Sequence, residues 1–341
     1  MSRRSLTLLT AAVATAAAIA ASVLVPVPYV ILGPGPTLNT LGKDAAGRQL
    51  ITISGRRLYP VTGHLNMVTV SYTGGPGADL NIFTALAAWL NPDEAVVPAS
   101  ELFPPGQTAQ QTQQQDTAQM VDSQQTATAA ALTELHIPYQ PVVGQVVKGY
   151  PAYGVLRPSD VITAVDGSPV TSQPSLLALI QAHPAGSTLA VTVQRGGATV
   201  RLRVGTRQSG GRPVMGVVIG SYRFPFQVKF SVGDIGGPSA GLMFALGIID
   251  KLTPLNLAGG AFIAGTGEIE PGGKVDPIGG IQQKMAGARA AGATVFLAPA
   301  GNCPDTSGAV PAGLRVVKVS TLNQAVDDLE ALKAGKPVPS C

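Results

Sequence analysis

The 341-residue sequence predicts an α+β protein with an N-terminal transmembrane helix followed by two folded units. Three observations lead to this prediction. An uncharged stretch runs from Leu6 to Leu32, short alternating strands with glycine-rich turns fill residues 141–205, and an almost wholly apolar helix follows a glycine-rich turn at 233–238. Apolar residues make up 45% of the chain, which is enough for a sizeable core.

The charge of the chain argues against nucleic acid as a partner. The formal net charge is +4, aromatic residues make up only 5%, and no Lys/Arg-rich run occurs. A nucleic-acid-binding surface would need a clustered basic patch, so we expect no nucleic-acid partner.

The N-terminal segment 1–28 is predicted to be a membrane anchor. Residues 6–25 would reach about 30 Å as a helix, which matches the core of a bilayer. Arg3 and Arg4 should stay in the cytoplasm and direct the rest of the chain outward. The expected location is therefore the cell membrane, with a single pass and the bulk of the chain on the extracytoplasmic side. A cleaved signal peptide is the alternative, because residues 18–22 offer small side chains near a cleavage point.

The cysteines and histidines indicate no metal site. Cys303 and Cys341 can form one disulfide outside the cytosol, or they can be two unrelated free thiols. The three histidines are far apart in sequence, and no CxxC pair occurs. We therefore predict neither a zinc site nor any other cofactor.

Residues 29–106 are predicted to form a β-rich region, with strands near 49–54 and 65–73 and a short helix at 81–90. Residues 107–136 follow as either a long polar helix or a low-complexity linker. Helical spacing of its few apolar residues favours the helix; these are Met120, Val121, Ala127, Ala131, Leu132 and Leu135.

Residues 137–207 alternate short strands with tight turns. Two alternating strands flank the glycine-rich turn at 195–198, and a helix at 174–183 precedes them. The stretch "VVKGYPAYGVLRPSDVITAVDGSPV" resembles the core of bacterial PDZ domains, with Ser159 where that family usually has glycine. The resemblance implies a small β-barrel-like sheet that binds C-terminal peptides by strand addition, and residues 141–147 are the candidate carboxylate loop. A structural spacer without a peptide ligand is the alternative.

Ser239 lies between the turn "GDIGGP" and the apolar helix "SAGLMFALGIIDKL". Free amides at a helix start suit an oxyanion, and Gly236, Gly237 and Ser239 are the candidate donors, since Pro238 has no N–H. The alternative is that Ser239 is a helix N-cap. The pattern "GPSAG" also matches the nucleophile elbow of α/β-hydrolases, but no histidine follows His183, which excludes that fold.

Without a histidine, the base must be another group, and a buried neutral lysine can serve. Lys284 has the most apolar setting of the lysines after Ser239. It shares one face of a predicted helix with Ile281, Met285 and Ala288. The alternative is a lysine that extends from the edge of that face into solvent.

The segments "GGPSAGLMFALGII" and "AGTGEIEPGGKVDPIGGIQQKMAGARAAGATVFLAP" resemble the proteolytic domain of Lon proteases. The resemblance implies a Lon-type α+β proteolytic domain over 208–341 with Ser239 as nucleophile, Lys284 as its partner, and Thr266 orienting the lysine. Because 226–335 is shorter than the family's domain, we expect the strands at 49–73 to complete its sheet, with 65–73 beside 226–232 and the PDZ domain inserted. The chain as a whole resembles the PDZ-containing, membrane-anchored Lon-like proteases of bacteria.

Two features depart from the Lon pattern. Gly236 replaces the acidic residue that commonly precedes the family's serine by three positions. No G-x-x-x-x-G-K-[ST] motif occurs, so ATP-driven unfolding is not expected. The resemblance also implies a homo-oligomer, as a hexameric ring.

The sequence thus predicts an ATP-independent serine endopeptidase that cleaves exported or membrane-associated proteins. Its partners would be protein or peptide substrates, held by the PDZ domain, and the membrane. A non-catalytic PDZ adaptor with a degenerate protease fold is the first alternative, and it is motivated by the missing acidic residue. An enzyme that acts only on itself or on one partner is the second.

Overall fold

The structure is a computed structural model and describes residues 3–44 and 46–341. Its first helix, α1, spans Arg3–Leu24, so a helix forms where the anchor was predicted. Over the described residues, no helix is both long enough and apolar enough to cross a bilayer, and the predicted transmembrane helix is therefore not supported. The first two residues of the predicted segment 1–28 lie outside the described part of the chain.

The N-terminal part of the folded body contains both strands and helices. The elements after α1 are β1 (Tyr29–Asn39), β2 (Ile51–Ser54), β3 (His64–Thr73), α2 (Ile82–Trp89), β4 (Ala95–Pro98), α3 (Ala99–Leu102) and α4 (Ala109–Glu134). The strands predicted at 49–54 and 65–73 and the helix predicted at 81–90 are confirmed.

The next part forms a sheet and a core of its own. Its elements are β5 (Gln140–Val146), β6 (Val161–Val165), β7 (Ser168–Pro169), α5 (Gln173–Gln181), β8 (Thr188–Arg195), β9 (Ala198–Gly205), β10 (Arg207–Ser209), β11 (Arg212–Val214) and β12 (Val217–Arg223). The sheet has the order β12-β5-β6-β8-β9, with β7 paired to β6. It extends past residue 207, the predicted end of this unit, because β12 pairs with β5.

The C-terminal part completes the larger body. Its elements are β13 (Gln227–Phe230), α6 (Gly241–Leu252), β14 (Phe262–Gly265), β15 (Glu268–Ile269), β16 (Val275–Asp276), α7 (Ile281–Ala290), β17 (Val295–Pro299), a short 3₁₀ turn, α8 (Cys303–Thr306), β18 (Arg315–Val319) and α9 (Leu322–Lys333). The main sheet has the order β18-β17-β14-β3-β1-β4 and is parallel from β18 to β3.

Helices cover both faces of this main sheet, because alternate strand residues point to opposite sides. Leu65 of β3 and Leu297 of β17 pack with α4, α6 and α9. Val68 and Phe296, from the same strands, pack with α7. Helix α6, which follows Ser239, and helix α7, which carries Lys284, therefore lie on opposite faces of one sheet.

The PDZ-like unit is inserted within the larger body. Residues 140–223 lie between α4 and β13, and both of these elements pack into the larger core. The strands at 49–73 complete that body, as expected, but the pairing differs from the expected one. β13 pairs with β2 rather than with residues 65–73, and β3 lies inside the main sheet between β14 and β1.

The polar segment 107–136 is a helix, not a linker. Helix α4 begins with a capping box, in which the Thr108 side chain and that of Gln111 each bond the other's backbone N–H. The predicted apolar stripe largely faces inward: Met120, Ala127, Ala131 and Leu132 are buried, whereas Val121 is exposed. Small residues on this face allow α4 to pack closely against α6.

The two cysteines form a disulfide, Cys303–Cys341, which resolves the alternatives left open by the sequence. The bond ties the chain's last residue to α8, next to the strand β18, which Ser340 also meets through a bridge to Val317. The C-terminal tail is therefore held against the edge of the main sheet.

Candidate active site

Ser239 lies in the loop that connects β13 to α6, and its side chain is partly exposed. Helix α6 begins at Gly241, and its N-cap position, Ala240, makes no side-chain capping bond. Ser239 is therefore not the N-cap. Its Oγ lies 2.9 Å from Nζ of Lys284 instead.

Lys284 is on the inward face of α7 and is only 3% exposed. Ile281, Met285 and Ala288 on the same face are buried as well, so the amine lies at the end of an apolar layer. Burial lowers the pKa of Lys284 to about 7, because desolvation disfavours the ammonium form. No acidic side chain in the described chain forms an ion pair with it.

Thr266 follows the carboxyl end of β14 and connects the other two residues. Lys284 Nζ lies 3.2 Å from Thr266 Oγ1, and Thr266 Oγ1 donates a hydrogen bond to the backbone oxygen of Ser239 at 3.0 Å. A threonine hydroxyl has one hydrogen to donate. Because the carbonyl takes that hydrogen, Thr266 can only accept a hydrogen bond from Lys284.

Hydrogen bonds hold part of the loop around Ser239 and leave the two amides nearest the serine side chain, those of Ser239 and Ala240, free among the described residues. The amide of Gly267 donates to the Ser239 carbonyl at 2.9 Å, which fixes the peptide unit that follows the serine. Gly237, a predicted oxyanion donor, instead donates its N–H to the Asp116 carbonyl at 3.0 Å. Among the described residues, none accepts a hydrogen bond from the amides of Ser239 and Ala240.

Helix α4 supports this loop in a way that the sequence did not reveal. Ser123 Oγ donates to the Pro238 carbonyl at 2.9 Å. A Cβ at Gly236 would overlap the Cβ of Asp116, so only glycine fits there without displacing the loop or the helix. An acidic side chain at position 236 is thus excluded by the close approach of α4, and a different carboxylate, Asp116, lies at this place.

The Asp116 carboxyl group faces the same cleft as Ser239. Burial raises its pKa, and a hydrogen bond from the Tyr72 hydroxyl partly opposes that effect. No short-range pattern could indicate these contacts, because more than 100 residues separate Asp116 and Ser123 from Ser239 and the PDZ-like unit lies between them.

A cleft of about 830 Å³ opens at Ser239 and Lys284. Its walls come from β3, the start of α4, the loop before Ser239, and the segment 277–280. The lining is mixed: apolar groups such as Met67, Val70 and Phe103 face it, and so do the carboxylates of Asp234 and Glu268. A chain segment several residues long can be accommodated there.

The free edge of the PDZ-like sheet does not coincide with the candidate carboxylate loop. The candidate carboxylate loop, 141–147, largely coincides with β5, which is paired on both sides, with β12 and β6. Within the described chain, β12 has no strand on its outer side. Helix α5 lies beside it, since the Tyr222 hydroxyl donates to Gln173 at the start of α5.

Comparisons with known proteins identify both units. Residues 109–206 match the PDZ domain family, and residues 232–332 match the Lon protease (S16) C-terminal proteolytic domain. The chain therefore contains a PDZ domain and a Lon-type C-terminal proteolytic domain.

Curated relatives include the Lon protease of Roseiflexus castenholzii, 44% identical over 69 residues, which are 20% of this chain and 8% of that protein. Lon protease 1 of Bacillus subtilis is 36% identical over 94 residues, covering 27% of this chain and 12% of the relative. The chain thus spans only a small part of the length of these proteins. The solved PDZ domain of an SdrC-like protein from Listeria monocytogenes is 23% identical, covers 23% of this chain and 85% of its own, and has a TM-score of 0.22.

Proposed function

We propose that the chain is a serine endopeptidase in which Ser239 is the nucleophile and Lys284 the general base. One observation carries the proposal. A lysine amine with a pKa of about 7 lies 2.9 Å from the hydroxyl of a serine that faces a cleft. A serine hydroxyl is a weak nucleophile by itself and needs an adjacent base within hydrogen-bonding distance.

The hydrogen bonds of Thr266 orient the amine for this role. Because Thr266 accepts a hydrogen from Lys284, the lone pair of the neutral amine is free to point toward Ser239. The Ser239 hydroxyl then donates to Nζ. Thr266 is a positioning residue, since it acts through the lysine and not on the substrate.

The reaction would proceed through an acyl-enzyme. Ser239 Oγ attacks the scissile carbonyl carbon while its proton passes to Lys284 Nζ. The ammonium returns that proton to the leaving amine, and the C–N bond breaks. A water molecule then transfers a proton to Lys284 and attacks the ester carbonyl. As the C–O bond to Ser239 breaks, the ammonium returns that proton to Oγ, which releases the second product and restores the serine.

The free amides of Ser239 and Ala240 are the candidate oxyanion donors. They lie at the start of α6, where the helix dipole also favours negative charge. Gly237 would not contribute directly, because Asp116 accepts its hydrogen bond. Instead, Gly236, Gly237 and Pro238 shape the loop that presents Ser239.

The PDZ domain would hold substrate at the free edge of β12. An extended peptide can add to an edge strand and gain backbone hydrogen bonds. The loop that leads into β12 comprises Met215 and Gly216, which places it where a terminal carboxylate would meet the strand's first amides. Proteins with exposed C-terminal or unstructured segments are the proposed substrates.

Peptide capture at β12 predicts a specific loss of affinity. In a chain made inactive by Ser239→Ala, replacing the exposed Val218 with aspartate should weaken binding of a C-terminal peptide about tenfold or more, since apolar contact is replaced by charge. Fluorescence anisotropy measures this. Thr199→Asp, on the opposite edge strand β9, is the control. Equal losses for both variants would place the peptide elsewhere.

We also propose that cleavage needs no ATP and takes place outside the cytosol. The 341 residues contain no P-loop motif, and the disulfide Cys303–Cys341 favours an oxidising compartment. A homo-oligomeric ring stays a prediction, which light scattering of the purified chain would test.

The function is tested by cleavage of casein or an unfolded secreted protein. The unaltered chain should degrade it equally with and without ATP, and Ser239→Ala should not degrade it. Equal degradation by both chains would contradict the proposal. No degradation by either would favour the adaptor, unless mass spectrometry of the unaltered chain finds self-processing that Ser239→Ala abolishes.

A further inference from the structure

Helix α2 carries a large apolar surface that no part of the described chain covers. Ala85 and Ala88 face the protein and pack against β1 and β4. The exposed large side chains on the helix and at its end are Ile82, Phe83, Leu86, Trp89 and Leu90, with Trp89 at 72% exposure. A patch of this kind on a protein surface marks an interaction site.

These five side chains occupy one side of the helix. At 100° per residue they fall within a sector of about 120°, directly beside the sector of Ala85 and Ala88. The remaining side carries Thr84 and Ala87. The apolar face of α2 is therefore much wider than the protein contact it makes.

Helix α1 leaves the folded body beside this face. Val27, just after α1, donates its amide to Leu80 at 2.8 Å, and Pro26 forms a bridge with Asn81, the N-cap of α2. The large apolar side chains of α1 up to residue 17 are exposed too. These are Leu6, Leu8, Leu9 and Val13.

The distribution of apolar residues on α1 decides between a protein and a lipid partner. Leu6, Leu9 and Val13 share one side of the helix and Leu8 points to the opposite side, and after Arg4 no side of α1 carries a charged residue. A neighbouring protein would bury one stripe of such a helix, whereas the lipid interface can take up uncharged side chains on more than one side. No acidic residue occurs in α1.

We propose that α1 and the apolar face of α2 form one docking surface for a lipid bilayer, with α2 lying in the interface and Trp89 among the acyl chains. An interfacial helix has this form, with large apolar side chains on one face. Asp79, Asp93 and Glu94 lie near the ends of α2 and outside its apolar sector. With Arg3 and Arg4 at the start of α1, the docking surface carries charges of both signs, which suits zwitterionic headgroups.

Docking would bring the cleft close to the membrane. The segment that contains α2 continues into Leu102, Phe103 and Pro104, which line the cleft at the dyad. Phe103 packs edge-on against Tyr72 of β3, which joins this segment to the body. Substrates near the bilayer surface would then reach the cleft first.

The single tryptophan of the chain makes this testable, because Trp89 is the only tryptophan signal. The full chain is mixed with phosphatidylcholine vesicles that carry bromine on their acyl chains, which quenches nearby tryptophan. We expect emission to fall at least twofold relative to unbrominated vesicles. Leu86→Gln with Leu90→Gln should remove most of that quenching and weaken the local contact about tenfold or more.

Thr84→Gln, on the side of α2 opposite the apolar sector, is the matched control and should be quenched like the unaltered chain. Flotation reports binding of the whole chain separately from the contact at Trp89. Failure to float, or flotation without quenching, would overturn the proposal. Shielding of Trp89 that rises with protein concentration without vesicles would also overturn it and assign the face to a second copy of the chain.

Discussion

Replacing Lys284 with methionine is expected to lower kcat for peptide-bond cleavage about 10⁴-fold, with little change in KM. The side chain of methionine fills much of the same apolar space but cannot accept the Ser239 proton. Substrate contacts in the cleft are unchanged, so binding should persist. Steady-state kinetics on a fluorogenic peptide derived from a mapped cleavage site would measure both constants.

Lys251 provides a matched control. It is also a buried lysine, 8% exposed, but it lies at the far end of α6 and its amine contacts the carbonyl of Leu41. Lys251→Met should leave kcat within about twofold, because Lys251 does not line the cleft. Combining Ser239→Ala with Lys284→Met should cost no more than either change, since the two groups act as one unit. Full additivity would contradict the dyad.

The rate of cleavage should rise with pH and level off above about pH 7. Lys284 accepts a proton only when neutral, and its pKa of about 7 sets the midpoint. Below that value, kcat/KM should fall about tenfold per pH unit as the ammonium form accumulates. The profile of kcat/KM from pH 5 to 9 is the measurement.

A substitution at Asp116 distinguishes whether Lys284 or this carboxyl group sets the midpoint of the pH profile. Asp116 has a raised pKa and faces the cleft, so Asp116→Asn should retain the midpoint if Lys284 sets it. A midpoint that moves by more than about one unit in Asp116→Asn would assign the titration to the carboxylate instead.

Stability should respond to the same lysine with a defined sign. The pKa of Lys284 falls from 10.5 when exposed to about 7 when buried, so the unfolded chain binds more protons between these values. The buried amine therefore destabilises the fold most at and below about pH 7, and progressively less as pH rises toward 10.5. Lys284→Met should gain more stability at pH 7 than at pH 9.5, measured by urea unfolding. An equal gain at both would contradict a neutral buried amine.

The sequence indicated which residues could form the site, but it did not indicate the contacts that hold the Ser239 loop in place. Ser239 could be proposed from its glycine-rich turn and Lys284 from an apolar helix face, whereas Thr266 and the pairing of Ser239 with Lys284 were implied by the resemblance to Lon proteases. The apolar residues around Lys284 recur at helical spacing, and this pattern can be recognised without knowledge of the fold. The structure brings these three residues into contact, while their catalytic roles stay predictions.

The contacts made by α4 could not be predicted. Asp116 and Ser123 contact the loop before Ser239, from which the inserted PDZ domain separates them in sequence. The sequence of a polar helix does not indicate which of its residues contacts such a distant loop. The donation from Gly237 to Asp116 removed a predicted oxyanion donor for the same reason.

Strand pairing was also beyond the sequence. Alternation showed that residues 65–73 and 226–232 form strands, but side-chain periodicity does not name a strand's neighbour. In the structure, β13 pairs with β2, and β3 lies between β14 and β1 in the main sheet. The free edge of the PDZ sheet was not predicted, because β12 lies beyond residue 207, the predicted end of this unit.

The most direct test is to map where a serine-directed fluorophosphonate reacts. With Lys284 as a neutral base beside it, Ser239 should carry a single adduct by mass spectrometry, and Lys284→Met should abolish the labelling while Lys251→Met retains it. Labelling of Ser239 at an unchanged rate in Lys284→Met, or an adduct on another residue alone, would contradict the Ser239–Lys284 dyad.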